Sequence, residues 1–238
     1  MNEQLIQNIK IDWQKIKPYS YLRDIEAIRN LKTIEFRCPV TFFVGENGSG
    51  KSTLLEAIAV ASGFNPEGGT KNYNFSTYDS HSELWDALSI TKGYRHAKWG
   101  YFLRAESFYN VATKEEEYSR GTEYEEHLHE MSHGESFLQT AQSKLRPNGI
   151  YFLDEPEAAL SPQRQLTLLM EIYQCAKKGA QFFIATHSPI LLGMPDAEIL
   201  SFDGGVIHPC TYEETDSYRI TEMFIHNREQ ILRQLLML

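Results

Sequence analysis

Val40-Thr41-Phe42-Phe43-Val44-Gly45-Glu46-Asn47-Gly48-Ser49-Gly50-Lys51-Ser52-Thr53-Leu54-Leu55-Glu56-Ala57-Ile58-Ala59 is the stretch that decides the fold. Val40 to Val44 is an apolar, β-branched and aromatic run, the composition of a buried strand. From Lys51 to Ser62, Leu54, Leu55, Ile58 and Ala61 fall on one helical stripe, so a helix is predicted there. Between them lies G-x-x-x-x-G-K-[ST], Gly45 to Ser52, in the strand, turn, helix context that gives this pattern its meaning. By composition alone its four fixed positions arise about once in a hundred chains of this length. Glycines let the backbone wrap closely, so that successive N–H groups and the helix N-terminus point at bound phosphates. Gly45, Asn47, Gly48, Ser49, Gly50 and Thr53 are the candidate phosphate contacts. Lys51 is placed to neutralise β- and γ-phosphates, and the Ser52 hydroxyl to ligate Mg²⁺.

Working outward, Ile150 to Leu153 and Gln181 to Ala185 also read as buried strands. They bracket a helix in which Leu166, Leu169, Met170 and Tyr173 recur at helical spacing. Such alternation predicts a parallel sheet covered by helices. Gly100 to Arg104 reads as another strand, and Gly63 to Ser80, rich in Gly, Asn, Ser and Tyr, as a long loop. Ile199 to Phe202, Asp203-Gly204-Gly205 and Val206 to His208 suggest a hairpin, and Ile220 to Leu236 a helix. Without an internal repeat or a Pro/Ser-rich linker, the simplest parse is one domain over 1–238 with a lobe inserted around residues 64–148.

The run ending at Leu153 is followed by Asp154 and Glu155. Alone, that pair reads as a turn with helix-capping acids. Downstream of a phosphate loop, a carboxylate at a strand's carboxyl end is placed to hold the Mg²⁺ shell, the role given to Asp154. Glu155 is then placed to orient or deprotonate an attacking water.

Composition sets the outer bounds. The formal charge of −9 argues against a surface coated for nucleic acid, although the N-terminal segment carries Lys10, Lys15, Lys17, Arg23, Arg29, Lys32 and Arg37 against five acids. Seven glutamates crowd between Lys114 and Glu135, a pattern that usually marks a solvated face. Cys38, Cys175 and Cys210 lack the spacing of a zinc site or a disulfide framework. No stretch approaches the roughly 20 apolar residues of a membrane span, and the opening MNEQLIQNIKIDWQKIK lacks the apolar core of a secretory signal. A cytoplasmic protein without membrane insertion is expected.

Two further motifs narrow the reading. Met131-Ser132-His133-Gly134-Glu135 resembles the LSGGQ signature of the ABC ATPase superfamily, and Thr186-His187-Ser188-Pro189 resembles its switch-histidine loop. With the phosphate loop and Asp154-Glu155, four motifs stand in that family's order, and the resemblance runs from about Tyr21 to the end. It implies a P-loop NTPase of ABC type: an α/β fold with a mostly parallel sheet flanked by helices, an antiparallel portion and an inserted, mainly helical signature lobe. It also implies ATP and Mg²⁺ as ligands, and a head-to-tail homodimer in which Ser132 and Gly134 contact the γ-phosphate of ATP held by the opposite protomer. His187 would hydrogen-bond the γ-phosphate of its own ATP.

Departures place the chain within that superfamily. Asp154-Glu155-Pro156-Glu157-Ala158-Ala159-Leu160-Ser161-Pro162 lacks the D-x-x-S-x-x-L-D tail of transport ATPases. With the histidine loop in its Thr-His-Ser-Pro form, it resembles the non-transporter branch of chromosome-maintenance, recombination-repair and overcoming-lysogenization-defect ATPases. About 80 residues separate Lys51 from Ser132, too few for the long coiled coil of the chromosome-maintenance proteins. Where the family places a glutamine, Phe102-Leu103-Arg104-Ala105-Glu106-Ser107 offers Glu106, either a Mg²⁺ ligand or an acid paired with a nearby base. Tyr19 and Tyr21 stand where many relatives stack an aromatic on adenine, and core packing fits them equally. The guanine-selective N-K-x-D pattern is absent, which favours ATP. The resemblance leads to an ATP-driven dimerisation switch acting on an unidentified protein partner. Its rivals are a DNA- or RNA-associated ATPase of repair or phage defence, a transporter subunit, and a nucleotide-gated scaffold with negligible turnover.

Overall fold

The computed structural model describes residues 2–71, 82–104 and 133–237, without the side chains of residues 133–135 and 137. In chain order come β1 (Ile6–Ile11), α1 (Glu26–Arg29), β2 (Thr33–Glu35), β3 (Val40–Val44), α2 (Lys51–Ala61), α3 (Leu84–Ala87), β4 (Leu88–Lys92) and β5 (Trp99–Arg104). There follow α4 (His133–Lys144), β6 (Gly149–Asp154), α5 (Pro162–Lys177), β7 (Gln181–Ala185), α6 (Pro189–Leu192), β8 (Glu198–Ser201), β9 (His208–Cys210) and α7 (Asp216–Leu236).

The apolar runs of β3, β6 and β7 are buried on both faces, as parallel strands between helical layers must be. They form the centre of a six-stranded sheet, order β5-β6-β7-β3-β8-β9, parallel throughout except for the β8–β9 pair. Side chains alternate across it and split the core in two. Phe43, Phe152 and Phe183 face a layer made by α2 and a second sheet, whereas Phe42, Tyr151, Phe182 and Ile184 face α5 and α6. Aromatic rings stack between neighbouring strands, Phe152 on Phe183 at 5.3 Å and Tyr151 on Phe182 at 4.9 Å. The second sheet, order β2-β1-β4, is antiparallel. The expected α/β architecture, a mostly parallel sheet with an antiparallel portion, is therefore the one present.

Several expectations shift in detail. The helix after the phosphate loop buries Leu54, Leu55 and Ile58 as expected, but Ala61 is only half-buried and Ala57 and Ala59 lie inside. In α5 the buried residues are Leu168, Ile172, Cys175 and Ala176, so the sheet-facing stripe is rotated from the one read in sequence. Leu166 and Met170 are on its exposed side, with Leu169 and Tyr173 at the margin. The hairpin forms, but its second strand starts at His208 because Asp203–Gly205 make a 3-10 turn and Val206 remains exposed. The last helix begins at Asp216, with Thr215 capping it by accepting from the Tyr218 N–H. Within 64–148, β4 and β5 are strands of the two sheets, while Gly69 pairs with Phe102 in an isolated bridge. Most of the acidic segment, like Glu106, lies outside the described residues.

Candidate nucleotide site

The carboxyl ends of β3, β6, β7 and β8 point to one edge of the sheet, where ligands of open α/β sheets bind. The loop after β3 turns through Gly45, Gly48 and Gly50, all at positive φ, which no side chain could adopt without strain. Gly50 is also pinned sterically: a Cβ there would lie 2.8 Å from Ile25 and 2.9 Å from Ile28, which pack across the loop from α1. Lys51 opens α2 and is buried. Its ammonium donates to the carbonyls of Gly45 (2.8 Å) and Glu46 (2.9 Å), so the loop closes around its own lysine. Burial pushes this ammonium below the ordinary lysine range, and Glu155, Asp203, Asp154 and Glu157 oppose the shift.

Ser52 follows, and its hydroxyl donates to Asp154 Oδ1 at 2.8 Å across 102 residues of sequence. A hydroxyl and a buried carboxylate held this close are the hard oxygen donors that Mg²⁺ takes when phosphate oxygens complete its shell. Among the described residues no cluster of three or more His, Cys, Asp or Glu forms an all-protein cage for a metal. Asp154 is steadied from behind by Arg104, whose Nε lies 3.6 Å from Oδ2 and whose Nη1 meets Glu56 at 2.6 Å.

Residues 15–175 match the AAA domain family. The chain belongs to that family. It is thus an ATPase domain of AAA type, and nucleotide binding is the property the family carries. Among solved structures it is similar to the SMC head domain from Thermotoga maritima, at 15% identity over 87% of this chain and 99% of that one, with a TM-score of 0.46. An SMC head bound to the C-winged helix domain of ScpA gives 16% identity over 88% and 98%, with the same TM-score of 0.46. The ADP conformation of an ATP-binding cassette of an ABC transporter gives 17% over 93% and 98%, with a TM-score of 0.44. No curated protein matches the sequence significantly.

Around the phosphate loop of this AAA domain stand groups that the sequence named and groups that it did not. Glu155 takes left-handed backbone angles, φ 49° and ψ 51°, and lines an open recess of 540 Å³ with Glu46, Asn47 and His187. The His187 N–H donates to Glu157 Oε1 at 2.6 Å, and Ser188 caps α6 while donating to Gln165 at 2.6 Å. His187 Nε2 and Ser49 Oγ are buried and have no partner among the described residues, so polar capacity is left for a phosphate oxygen. Two contributors went unrecognised in sequence. Glu157 anchors the histidine loop, and Asp203 Oδ1 accepts from the Glu46 N–H at 2.9 Å, tying the phosphate loop to the turn after β8. Their roles rest on partners 30 and 157 residues away, which no local pattern reports.

Other candidates fall differently. Gly134 is in the first turn of α4, and Ser132 and Glu106 lie outside the described residues. Tyr19 and Tyr21 are exposed, which removes core packing as their role. Four of the basic N-terminal residues are engaged within the protein. Arg23 donates to the carbonyls of Trp13, Ile16 and Lys17, Lys15 to that of Asp86, while Arg29 pairs with Glu26 and Arg37 with Glu35. All three thiols are held above the ordinary cysteine range, chiefly by burial, Cys175 up to about 11. Among the described residues no helix is long and apolar enough to cross a membrane.

Proposed function

We propose that this domain is a Mg²⁺-dependent ATP phosphohydrolase whose ATP-bound form pairs head to tail with a second copy, and whose turnover releases the pair as a switch for a protein partner. The Ser52–Asp154 contact at the mouth of the lysine-closed loop carries this reading, because it joins the two halves of a metal–triphosphate site from distant parts of the chain. Ser52 and Asp154 would hold Mg²⁺, which supplies charge neutralisation to the β- and γ-phosphates. Gly45 to Thr53 would bind the triphosphate through backbone N–H groups and Lys51. Glu155 takes a proton from water as the water oxygen bonds to the γ-phosphorus. The bond from that phosphorus to the bridging oxygen breaks, giving ADP and inorganic phosphate. His187 donates from Nε2 to a γ-phosphate oxygen, its loop held in place by Glu157. Ser132 and Gly134 would complete the site from the opposite protomer. Such a pair obeys two-fold symmetry, so each chain gives and receives the same parts.

Glu155→Gln tests both halves of this reading. Phosphate release is expected to fall at least ~100-fold, in the range that removing a general base costs. Sedimentation is expected to show a larger assembly in Mg-ATP than in ADP. A variant that turns over normally, or sediments alike in Mg-ATP and in ADP, overturns it.

A further inference from the structure

α7 is 21 residues long, about 32 Å at 1.5 Å per residue, and none of its residues is buried. On the side that holds Ile225 its apolar residues lie open, with Ile225 69%, Leu235 72% and Leu236 60% exposed. A helix of this kind gains its stability by packing that side against something. Beside its first half, a largely apolar groove of 440 Å³ runs between α5, α6 and α7, lined by Leu166, Pro189, Ile190, Tyr212, Tyr218 and Ile225.

We propose that α7 pairs antiparallel with α7 of a second copy of this chain, each helix seating its Leu235–Leu236 end in the other's groove. Charge selects this occupant and this orientation. The segment entering and starting α7 carries Glu213, Glu214, Asp216 and Glu222 against Arg219, whereas its second half carries Arg228 and Arg233 against Glu229. An antiparallel pair lays the basic half of each helix along the acidic half of the other, while a parallel pair opposes like with like. Register follows from the groove. With Leu236 opposite the partner's Thr221, the two-fold axis passes between Arg228 and Glu229. Arg228 then faces the partner's Glu229, and Arg233 lies within one turn of the partner's Glu222. The non-helical residue inside α7, Asn227 at φ −124° and ψ 25°, sits beside that axis, so the bends of both helices fall together at the crossing.

This pairing needs no nucleotide and differs from the ATP-dependent pair proposed above. It also braces α6, which begins two residues after His187. Sedimentation of the full chain in EDTA without nucleotide separates the two. A dimer is expected there, and Lys51→Ala is expected to retain it. Leu235→Glu/Leu236→Glu should raise the dissociation constant by at least ~100-fold, four leucines being lost from each dimer. Arg228→Glu alone and Glu229→Arg alone should each weaken it ~10-fold, and the double exchange should restore it, because only then are unlike charges again opposed across the axis. That restoration also shows that the single variants had folded. A monomer in EDTA overturns the proposal, as does a dimer indifferent to Leu235 and Leu236, or a double exchange that fails to restore pairing. Leu235-dependent capture of lipid vesicles or of another protein by a chain that stays monomeric counts against it equally.

Discussion

Glu155 occupies a backbone conformation that costs a non-glycine residue about 1–3 kcal/mol, and the surroundings enforce it. Its N–H donates to Ala185 at 2.9 Å, its carbonyl accepts from Ala158 at 3.0 Å, and buried Pro156 fixes the next turn. Glu155→Gly is therefore expected to raise stability by about 1 kcal/mol in denaturant titrations while phosphate release is lost, the exchange of stability for activity that strained sites show. Lys51 makes the second case at this scale. Because its folded value lies below 10.5, the unfolded chain binds more protons between the two values, and stability rises with pH across that window. Bound phosphates favour the ammonium, so ATP binding should take up protons there. Calorimetry of ATP binding just below pH 10.5, in two buffers of different ionisation heat, is expected to show that uptake. Its loss in Lys51→Met would assign it, and equal enthalpies in both buffers would contradict it.

Among elements, one amide bridges the two sheets. Gln181 starts β7 and is buried. Its Oε1 accepts from the Ile6 N–H at 2.8 Å and its Nε2 donates to the Ile6 carbonyl at 2.9 Å, so a side chain completes a ladder between β7 and β1. Gln181→Leu keeps the bulk and orphans both backbone groups, and should cost about 2–4 kcal/mol in urea unfolding. An effect below 1 kcal/mol would show that the ladder is satisfied elsewhere. The elements legible in sequence were those whose signal is local. β3, β6 and β7 announce themselves as apolar runs, and the loop announces itself by glycines whose φ values only glycine tolerates readily. β1 was missed because Gln7, Asn8 and Lys10 interrupt its apolar residues, and its partner β4 exposes Ser89, Thr91 and Lys92. The sequence places the stripe of α5 on the wrong face because Leu166 belongs to the groove beside α7, so apolarity marked two faces rather than one. Periodicity reports that a helix has an apolar side without naming what covers it.

For the whole molecule, the distribution of charge matters more than its sum. Asp154, Glu155, Glu157 and Asp203 all act on one buried lysine, in a chain of net charge −9, so the carboxyl edge of the sheet concentrates negative charge that Lys51 offsets only in part. A triphosphate alone adds to that charge, whereas Mg²⁺ brings two positive charges to Ser52 and Asp154. ATP in EDTA should accordingly bind more weakly, and at equal concentration stabilise the fold less, than Mg-ATP. At a hundredfold excess over its dissociation constant, a ligand of the native state contributes about 2.7 kcal/mol. For a domain of this size that is a rise in Tm of roughly 5–10 °C. Scanning calorimetry is expected to show this rise with Mg-ATP, a smaller one with ATP and EDTA, and the loss of the difference in Ser52→Ala and Asp154→Asn. Because Ser52 is half-buried at the mouth of the loop and Asp154 is locked to both Ser52 and Arg104, these variants remove the donors proposed for the metal while leaving the phosphate loop's glycines and lysine in place. If both retained the full Mg²⁺-dependent rise, the metal would have to be held by other residues, and the role given to the Ser52–Asp154 contact would fall with it.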